Sequence, residues 1–289
     1  MIVDTNAKQL LFCTALIRTV IPGGKSTGTG FVYNVTTSDP DKLVPVLVTN
    51  KHVIEGAITG QIGFIKNING RPSAADYVEL NFGQGFAAMW FHHPDPDVDV
   101  AVMPLGPAHN QLISSGFRPY YIGLAEELFP TAEVVGDLDA IEEVTFIGYP
   151  NGLVDSVNHT PIFRRGITAT PIEQDWNGKP QFLIDASVFP GSSGSPVFIL
   201  DRGSYHHKGN LVVGNRIHFL GILAAVHQQS ALAEIILASQ NPKAVVRQNM
   251  DLGIVYKWHT IERCIDDLCA KRGISREKIS NVGPMPNSA

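Results

Sequence analysis

The strongest constraint in this sequence is a series of short β-type segments separated by turns that contain glycine and proline. The 289 residues include 27 Gly and 19 Pro, the residues that tight turns favour. Many short strands at fairly even spacing are typical of β-barrels or of a β-sandwich. Because 44% of the residues are hydrophobic and 17% are charged, the chain can bury a full core. The segments are 30–33, 44–50, 77–82, 98–105, 142–150, 180–188, 195–200, 219–226 and 252–258.

A helix is predicted close to the end of the chain, over residues 260–272. Thr260 can cap its first turn, and Gly273 is a typical stop signal. Residues 274–289 are predicted to be a flexible tail. A second candidate helix, 231–240, lies where only a loop is expected, and no role is assigned to it. The spacing of one buried helix face is followed by Ile261, Cys264, Ile265, Leu268 and Cys269.

Composition argues against several classes of partner. The formal charge is −5 and no block of Lys or Arg occurs, so we expect no nucleic-acid binding. The apolar runs are far shorter than the ~20 residues that span a bilayer. The apolar stretch 9–17 ends at Arg18 without a signal-peptide cleavage pattern. An odd, scattered set of cysteines favours a reducing compartment, and we expect a cytoplasmic protein without membrane contact. The cysteines are Cys13, Cys264 and Cys269.

Three separate segments carry residues that together fit nucleophilic catalysis. His52 ends an apolar segment (VTNKHVIEGA), Asp99 begins another (HPDPDVDVAVMPL), and Ser193 lies in a glycine-bracketed turn (DASVFPGSSGSPVF). A serine hydroxyl needs a base within hydrogen-bond reach to act as a nucleophile. Imidazole titrates near neutrality and can accept and return a proton, and a carboxylate fixes its tautomer. The predicted roles are nucleophile for Ser193, general base for His52 and orienting carboxylate for Asp99.

The glycines around Ser193 predict an oxyanion hole. Gly191 permits a backbone turn that would be costly for other residues. That turn can aim the N–H groups of Gly191 and Ser193 at one point, where they would hold a developing negative charge. Losing one such donor costs about 10²–10³ in rate.

Neighbouring residues compete for two of these roles. Asp95 and Asp97 lie in a proline-rich turn, and we interpret them as loop acids. Ser192 and Ser195 are close to the nucleophile position, but only Ser193 has glycines at −2 and +1. The sequence context therefore favours Asp99 and Ser193.

The histidine pairs do not predict a metal site. No third ligand with zinc-like spacing accompanies His92–His93 or His206–His207, and we expect neither a metal nor a cofactor. A lone histidine is more often a satisfied core residue than a catalytic group, but the segment around His52 favours catalysis.

With these segments in this order, the sequence resembles trypsin/chymotrypsin-like serine peptidases, and most closely the bacterial HtrA-like or trypsin-2 type without a PDZ module. The resemblance extends to TGTGFVY (27–33), FIGYPNG (146–152), RRGITAT (164–170) and FLGILAAV (219–226). It implies an all-β, chymotrypsin-like fold of two six-stranded antiparallel β-barrels with a C-terminal helix. The catalytic site would lie in the cleft between the barrels.

The resemblance also implies a domain organisation. Residues 1–273 would form a single peptidase domain, followed by the tail. The expected parts are barrel one at about 10–123, a linker at about 124–141, barrel two at about 142–258 and the closing helix at 260–272.

A specificity pocket is implied by the same resemblance. Its floor would be Ser187, six residues before the nucleophile, and its wall would be Ala224, Ala225 and Val226. Because the floor carries no acid and Val226 is bulky, we expect small or medium aliphatic residues before the cut rather than Arg or Lys. The backbone of 224–226 is expected to pair with the substrate as an added strand.

Two positions depart from the family pattern. Ser192 stands where zymogen-activated relatives carry an aspartate that pairs with a cut N-terminus, so we expect no activation through that ion pair. Ala224 stands where many relatives carry a serine that supports the catalytic carboxylate. That support must come from elsewhere, for example from a backbone N–H.

The sequence therefore predicts a serine endopeptidase that hydrolyses a polypeptide substrate through an acyl-enzyme. The alternative from another class is a catalytically silent protease-fold module that binds or chaperones proteins. A third hypothesis keeps the enzyme but places it under the control of a regulatory protein partner, with 231–240 as the candidate contact.

Overall fold

Two antiparallel β-structures, one from each half of the chain, dominate the computed structural model. The structure describes residues 1–39, 42–234 and 243–278. Within these ranges, the side chains of residue 74 and of 225–234 and 243–250 are not described.

The first half of the chain forms an eight-stranded antiparallel sheet. Its strands are β1 (Thr14–Ile21), β2 (Gly24–Thr36), β3 (Leu43–Thr49), β4 (Thr59–Ile68), β5 (Arg71–Phe82), β6 (Phe91–His92), β7 (Ala101–Pro104) and β8 (Pro119–Tyr120). They are ordered β5-β4-β1-β2-β3-β7-β6, with β8 paired to β4. Six of them have four residues or more, and β6 and β8 are two-residue additions to the predicted six.

The second half closes into a six-stranded antiparallel barrel. Its strands are β9 (Glu143–Gly148), β10 (Ile162–Thr168), β11 (Gln181–Asp185), β12 (Pro196–Asp201), β15 (Arg216–Glu234) and β16 (Lys243–Lys257). Around the barrel they follow the order β10-β11-β16-β15-β12-β9. A separate hairpin of β13 (Ser204–His207) and β14 (Asn210–Val213) lies between β12 and β15 in the chain. The predicted double-barrel fold is confirmed.

Short helices connect these strands. The α-helices are α1 (Asn6–Leu10), α2 (Lys51–Ile54), α3 (Gly106–Ser114), α4 (Ala132–Asp137) and α5 (Trp258–Arg272). Single 3₁₀ turns occur at Phe86–Met89, Glu126–Leu128, Pro150–Gly152 and Trp176–Gly178. The predicted linker thus contains α4 and one 3₁₀ turn. Among the described residues, no helix combines the length and apolar character needed to cross a membrane.

The candidate helix at 231–240 is wrong for its first four residues. Residues 231–234 belong to β15, where Leu232 pairs with Val245 and Ala233 with Ala244 on β16. The partner strand supplies the backbone hydrogen bonds that a helix would make internally, so tertiary pairing overrides the local helix preference. Residues 235–240 lie outside the described residues.

Strand β2 separates two apolar cores. Gly30 and Val32 face the core of barrel one, where a Cβ on Gly30 would meet Ile17 and Leu47. Phe31 and Tyr33, one residue out of phase, belong to the core shared with barrel two. This is the period-two alternation of a strand buried on both faces.

Phe31 carries the apolar contact between the barrels. Its ring meets the edge of Phe219 on β15, with centroids 5.4 Å apart, and both side chains are fully buried. Two residues earlier on the same face of β2 is Thr29, which is also buried. We call the contact made by Thr29 and Phe31 with barrel two the barrel interface.

Helix α5 closes the fold and holds the residues that follow it. It begins two residues before the predicted start and ends at Gly273, which has a φ of +65°. The first residues of the predicted tail are fixed rather than free. Arg276 is 5% exposed, and its Nη1 lies 2.5 Å from Asp266 Oδ1 on α5. Residues 279–289 of the predicted tail lie outside the described residues.

Arg276 also joins two buried carboxylates from different parts of the chain. Its Nη2 lies 3.5 Å from Glu262 Oε1 on α5 and 3.5 Å from Glu126 Oε2 in the linker. Burial raises the pKa of Glu262 to about 7, and the nearby Arg276 only partly opposes that shift. The folded protein therefore binds a proton at Glu262 more tightly than the unfolded chain does.

This shift predicts a pH-dependent loss of stability. Because the folded pKa is raised, the contribution of Glu262 is complete below about pH 4.5 and is lost as the pH rises through about 7. Glu262→Gln should remove this loss, so the unfolding free energy of the wild type relative to the variant should fall by roughly 1–3 kcal/mol over that range. Urea unfolding at several pH values measures the difference.

Asp267→Asn is the matched control, because Asp267 is on the same helix and pairs with Lys271. Its difference from the wild type should not change in the same way with pH. A difference between wild type and Glu262→Gln that stays constant from pH 4.5 to 7 would contradict the assignment.

Candidate active site

His52 lies on a single helical turn directly after β3. Val53 and Ile54 of this turn are buried, which anchors the turn in the core of barrel one. Asn50, before the turn, is fully buried and donates its side-chain Nδ2–H to the backbone carbonyl of Asp99 (2.7 Å). The His52 side chain is left 44% exposed, so one ring edge remains accessible from the cleft.

The side chains of His52 and Asp99 are in contact. His52 Nδ1 lies 2.5 Å from Asp99 Oδ2, within hydrogen-bond distance, and a bond to a carboxylate is stronger than one between neutral groups. Asp99 Oδ1 accepts a second bond from the backbone N–H of His52 (3.1 Å). This N–H supports the carboxylate in place of the serine hydroxyl that many relatives carry at the position of Ala224. With Nδ1 bound to Asp99, Nε2 is the ring nitrogen that remains free to act as a base.

The competing acids lie elsewhere in the same loop. Asp95 Oδ1 accepts the backbone N–H of Asp97 (2.9 Å). The side chain of Asp97 is 71% exposed and lies 3.4 Å from Lys179 Nζ. Neither carboxylate bonds His52, in agreement with their interpretation as loop acids.

Ser193 lies between the two barrels, but its hydroxyl points to a backbone carbonyl. Ser193 Oγ donates to the carbonyl oxygen of Ala224 on β15 (3.0 Å). Among the described residues, no hydrogen bond joins this hydroxyl to His52. The Ser193 carbonyl accepts the N–H of Thr29 (2.9 Å), and the next N–H, that of Gly194, donates to Leu223 (2.8 Å). The backbone of the turn is therefore fixed against both barrels.

Gly191 has the backbone conformation that the oxyanion-hole prediction requires. Its φ is +87°, which glycine adopts without strain. A Cβ at this position would lie 2.6 Å from the carbonyl oxygen of Tyr149, so space also demands glycine. In the described part of the chain, the N–H groups of Gly191 and Ser193 have no acceptor. Two unpaired donors thus flank the Ser193 side chain.

Thr29 makes four hydrogen bonds, three across the barrel interface and one within barrel one. Its hydroxyl donates to the Gly191 carbonyl (2.9 Å) and accepts the N–H of Tyr149 (3.0 Å). Its N–H donates to the Ser193 carbonyl (2.9 Å), and its own carbonyl accepts the hydroxyl of Thr49 (2.7 Å). The sequence carries no signal for this contact, because Thr29 and Gly191 are separated by 162 positions and no spacing rule connects them.

The predicted specificity residues lie just after β11 and on β15. Ser187 is half-buried just after β11. Ala224 is 1% exposed, and its carbonyl is the acceptor for Ser193. Ala225 and Val226 pair with Ile254 and Gly253 on β16, but their side chains lie outside the described ones. The shape of the specificity pocket stays a prediction.

A comparison with protein-family models matches the trypsin-like peptidase domain over residues 28–204. This range is more than half of the chain and contains His52, Asp99 and Ser193. The chain belongs to the trypsin-like peptidase family. No curated protein matches it.

Solved protease structures are similar to this trypsin-like peptidase at low sequence identity. They include the HtrA-type protease AlgW with a tripeptide, at 14% identity and a TM-score of 0.49, covering 93% of this chain and 63% of that one. The serine endoprotease from Yersinia pestis matches at 14% identity and 0.47, covering 96% of this chain and 76% of that one. A protease from M. tuberculosis in its active form matches at 18% and 0.41, covering 96% and 88%. The chain thus spans less than two thirds of the length of AlgW.

The His52–Asp99 contact predicts a measurable proton signal. Because Nδ1 lies within hydrogen-bond distance of a carboxylate, we expect the ¹H resonance of an Nδ1–H that donates to it to lie well downfield of the amide region. In Asp99→Asn this resonance should be lost. Asp97→Asn is the control, since Asp97 lies in the same loop without contacting His52, and it should keep the signal. Its persistence in Asp99→Asn would show that another group holds the imidazole.

The steric demand at Gly191 predicts a stability difference between two glycines of similar conformation. Gly203 has a φ of +88°, but a Cβ there would meet nothing within 4 Å. Gly203→Ala should therefore cost about 1 kcal/mol from backbone strain alone. Gly191→Ala adds a clash with Tyr149 and should cost roughly 2–4 kcal/mol. Equal losses in urea unfolding would mean that Tyr149 does not constrain the turn.

Proposed function

We propose that this trypsin-like peptidase is a serine endopeptidase with Ser193 as nucleophile, His52 as general base and Asp99 as orienting carboxylate. The observation that carries the proposal is the 2.5 Å contact between His52 Nδ1 and Asp99 Oδ2. This contact fixes the tautomer in which Nε2 is an acceptor. Support also comes from the unpaired N–H groups of Gly191 and Ser193 beside the hydroxyl.

The proposed reaction proceeds through an acyl-enzyme. His52 Nε2 takes the proton from Ser193 Oγ as the oxygen attacks the carbonyl carbon of the substrate. The N–H groups of Gly191 and Ser193 hold the resulting oxyanion, and Asp99 stabilises the imidazolium. His52 then gives the proton to the departing amine as the C–N bond breaks. Water then attacks the carbonyl carbon of the ester and gives a proton to His52. His52 returns that proton to Ser193 Oγ as the C–O bond breaks. No metal or cofactor takes part in this proposal.

The Ser193 hydroxyl must change its partner before this reaction. A rotation about the Cα–Cβ bond moves Oγ from the Ala224 carbonyl toward the cleft, and such rotations of a side chain are fast on the scale of enzyme turnover. The N–H groups that hold the turn do not need to move. The rearrangement is therefore limited to one side chain.

The same hydrogen bond favours a second candidate function. A hydroxyl that donates to Ala224 (3.0 Å) is not available to His52, as expected for a silent binding or chaperone module or for an enzyme restrained until a partner binds. For the restrained form we propose a regulatory protein partner that contacts the extended β15–β16 hairpin. This hairpin continues directly from the strand that carries Ala224.

The proposed substrate is an extended polypeptide. Pairing of β12 with β15 ends at Ile222, so one edge of 224–226 has no partner strand among the described residues. An extended peptide can add to such an edge through backbone hydrogen bonds. Since Ser187 brings no charge to the predicted pocket floor, we propose that small or medium aliphatic side chains precede the cut.

Intact-mass analysis after treatment with a fluorophosphonate tests the nucleophile. Attack by Ser193 Oγ forms an O–P bond, expels fluoride and passes the hydroxyl proton to His52, so one stable adduct should form on the wild type. Ser193→Ala should give none. Ser195→Ala is the matched control, because Ser195 is buried in the same turn and should keep the adduct.

Either failure has a distinct meaning. An adduct that persists in Ser193→Ala would assign the nucleophile to another residue. If the folded wild-type protein forms no adduct, the site is not reactive in the absence of a partner. That result would favour the silent module or the restrained enzyme.

A further inference from the structure

The hydroxyl of Thr29 joins two backbone segments of barrel two. It accepts the N–H of Tyr149 (3.0 Å) and donates to the carbonyl of Gly191 (2.9 Å). Thr29 is fully buried, so neither backbone group has ready access to water as a substitute partner. One oxygen from barrel one therefore ties the turn at 149–152 to the turn at 190–194 that carries Ser193, which we call the nucleophile turn.

A backbone hydrogen bond between the same two segments orients the N–H of Gly191, the proposed oxyanion donor. The N–H of Asn151 donates to the carbonyl of Pro190 (2.5 Å). The C=O and N–H of a trans peptide point in opposite directions, so holding Pro190 toward Asn151 turns the N–H of Gly191 away from that loop. Gly191 itself does not fix this direction, because glycine allows a wide range of backbone angles.

Gly148 provides the space in which the Thr29 hydroxyl lies. A Cβ on Gly148 would lie 2.5 Å from Thr29 Oγ and would also overlap the hydroxyl of Ser195. The φ of Gly148 is not positive, so a glycine is required there for room and not for conformation. The fold thus leaves a specific place for this hydroxyl beside the nucleophile turn.

We infer that Thr29 is a positioning residue that sets the oxyanion hole of barrel two from a strand of barrel one. This inference rests on the proposed function. The hydroxyl keeps Tyr149 and Gly191 in register, and the Asn151–Pro190 bond then aims the N–H of Gly191. Removing the hydroxyl leaves the Gly191 carbonyl without a donor and frees the donor peptide to rotate.

The test separates rate from binding in the reaction with a fluorophosphonate. In Thr29→Val, the limiting inactivation rate should fall about 10- to 100-fold, somewhat less than the loss of a whole oxyanion donor. The concentration for half-maximal rate should change by no more than about twofold, since the probe still binds. Thr29→Ser restores the hydroxyl and should recover most of the rate. Thr29→Cys, with a weaker donor, should lie between them and serves if Thr29→Val does not fold.

Thr168→Val is the matched control. Thr168 is also buried, and its hydroxyl also accepts one backbone N–H, from Glu142 (2.9 Å), and donates to one carbonyl, that of Ala140 (2.8 Å). Thr168 ends β10, where its hydroxyl bonds the end of the linker, and it is not part of the barrel interface. Thr168→Val should lose stability as Thr29→Val does but should keep the wild-type inactivation rate.

A Thr29→Val protein that reacts at the wild-type rate, or whose inactivation rate falls no more than that of Thr168→Val, would overturn the inference. If the wild type itself does not react, the proposed function fails separately. Crystal structures of wild type and Thr29→Val then decide the matter without any activity. A rotated Pro190–Gly191 peptide in the variant supports the positioning role, and an unchanged one overturns it.

Discussion

The geometry of the site depends on the two-residue period of β2 at the barrel interface. Thr29 and Phe31 face barrel two, whereas Gly30 and Val32 face the core of barrel one. A register shift of one residue would exchange these faces, placing glycine where the nucleophile turn needs hydrogen bonds. Because His52 comes from barrel one and Ser193 from barrel two, the contacts that this register places between the barrels help to set where the two residues lie relative to each other.

Polar and apolar contacts have different tasks at the barrel interface. The apolar core that Phe31 and Phe219 share with many other side chains removes surface from water, and this attraction has little direction. The hydrogen bonds of Thr29 add little net free energy individually, but they are directional and lie in a buried region where an unmade bond is costly. The apolar core therefore supplies attraction between the barrels, and Thr29 fixes how the nucleophile turn lies between them.

The sequence predicted the elements whose signals are local. The short apolar segments became strands, the helical period became α5, and the segments of His52 and Asp99 placed those side chains in contact. Long-range features could not be predicted in this way. The strand at 231–234 depends on pairing with β16, Arg276 meets carboxylates from both α5 and the linker, and Thr29 contacts a turn more than a hundred residues away.

In the proposed mechanism, the Ser193 hydroxyl must exchange one hydrogen-bond acceptor for another. Its present acceptor is the Ala224 carbonyl, 3.0 Å away, at the long end of the range for a hydroxyl donor. A bound peptide would exclude water from the cleft, and the attraction between a protonated His52 and Asp99 would then be stronger because the local dielectric is lower. A peptide added beside 224–226 would thus favour the reactive rotamer by covering the cleft. The backbone donors need no such help, since Gly191 is already held through Thr29 and Asn151.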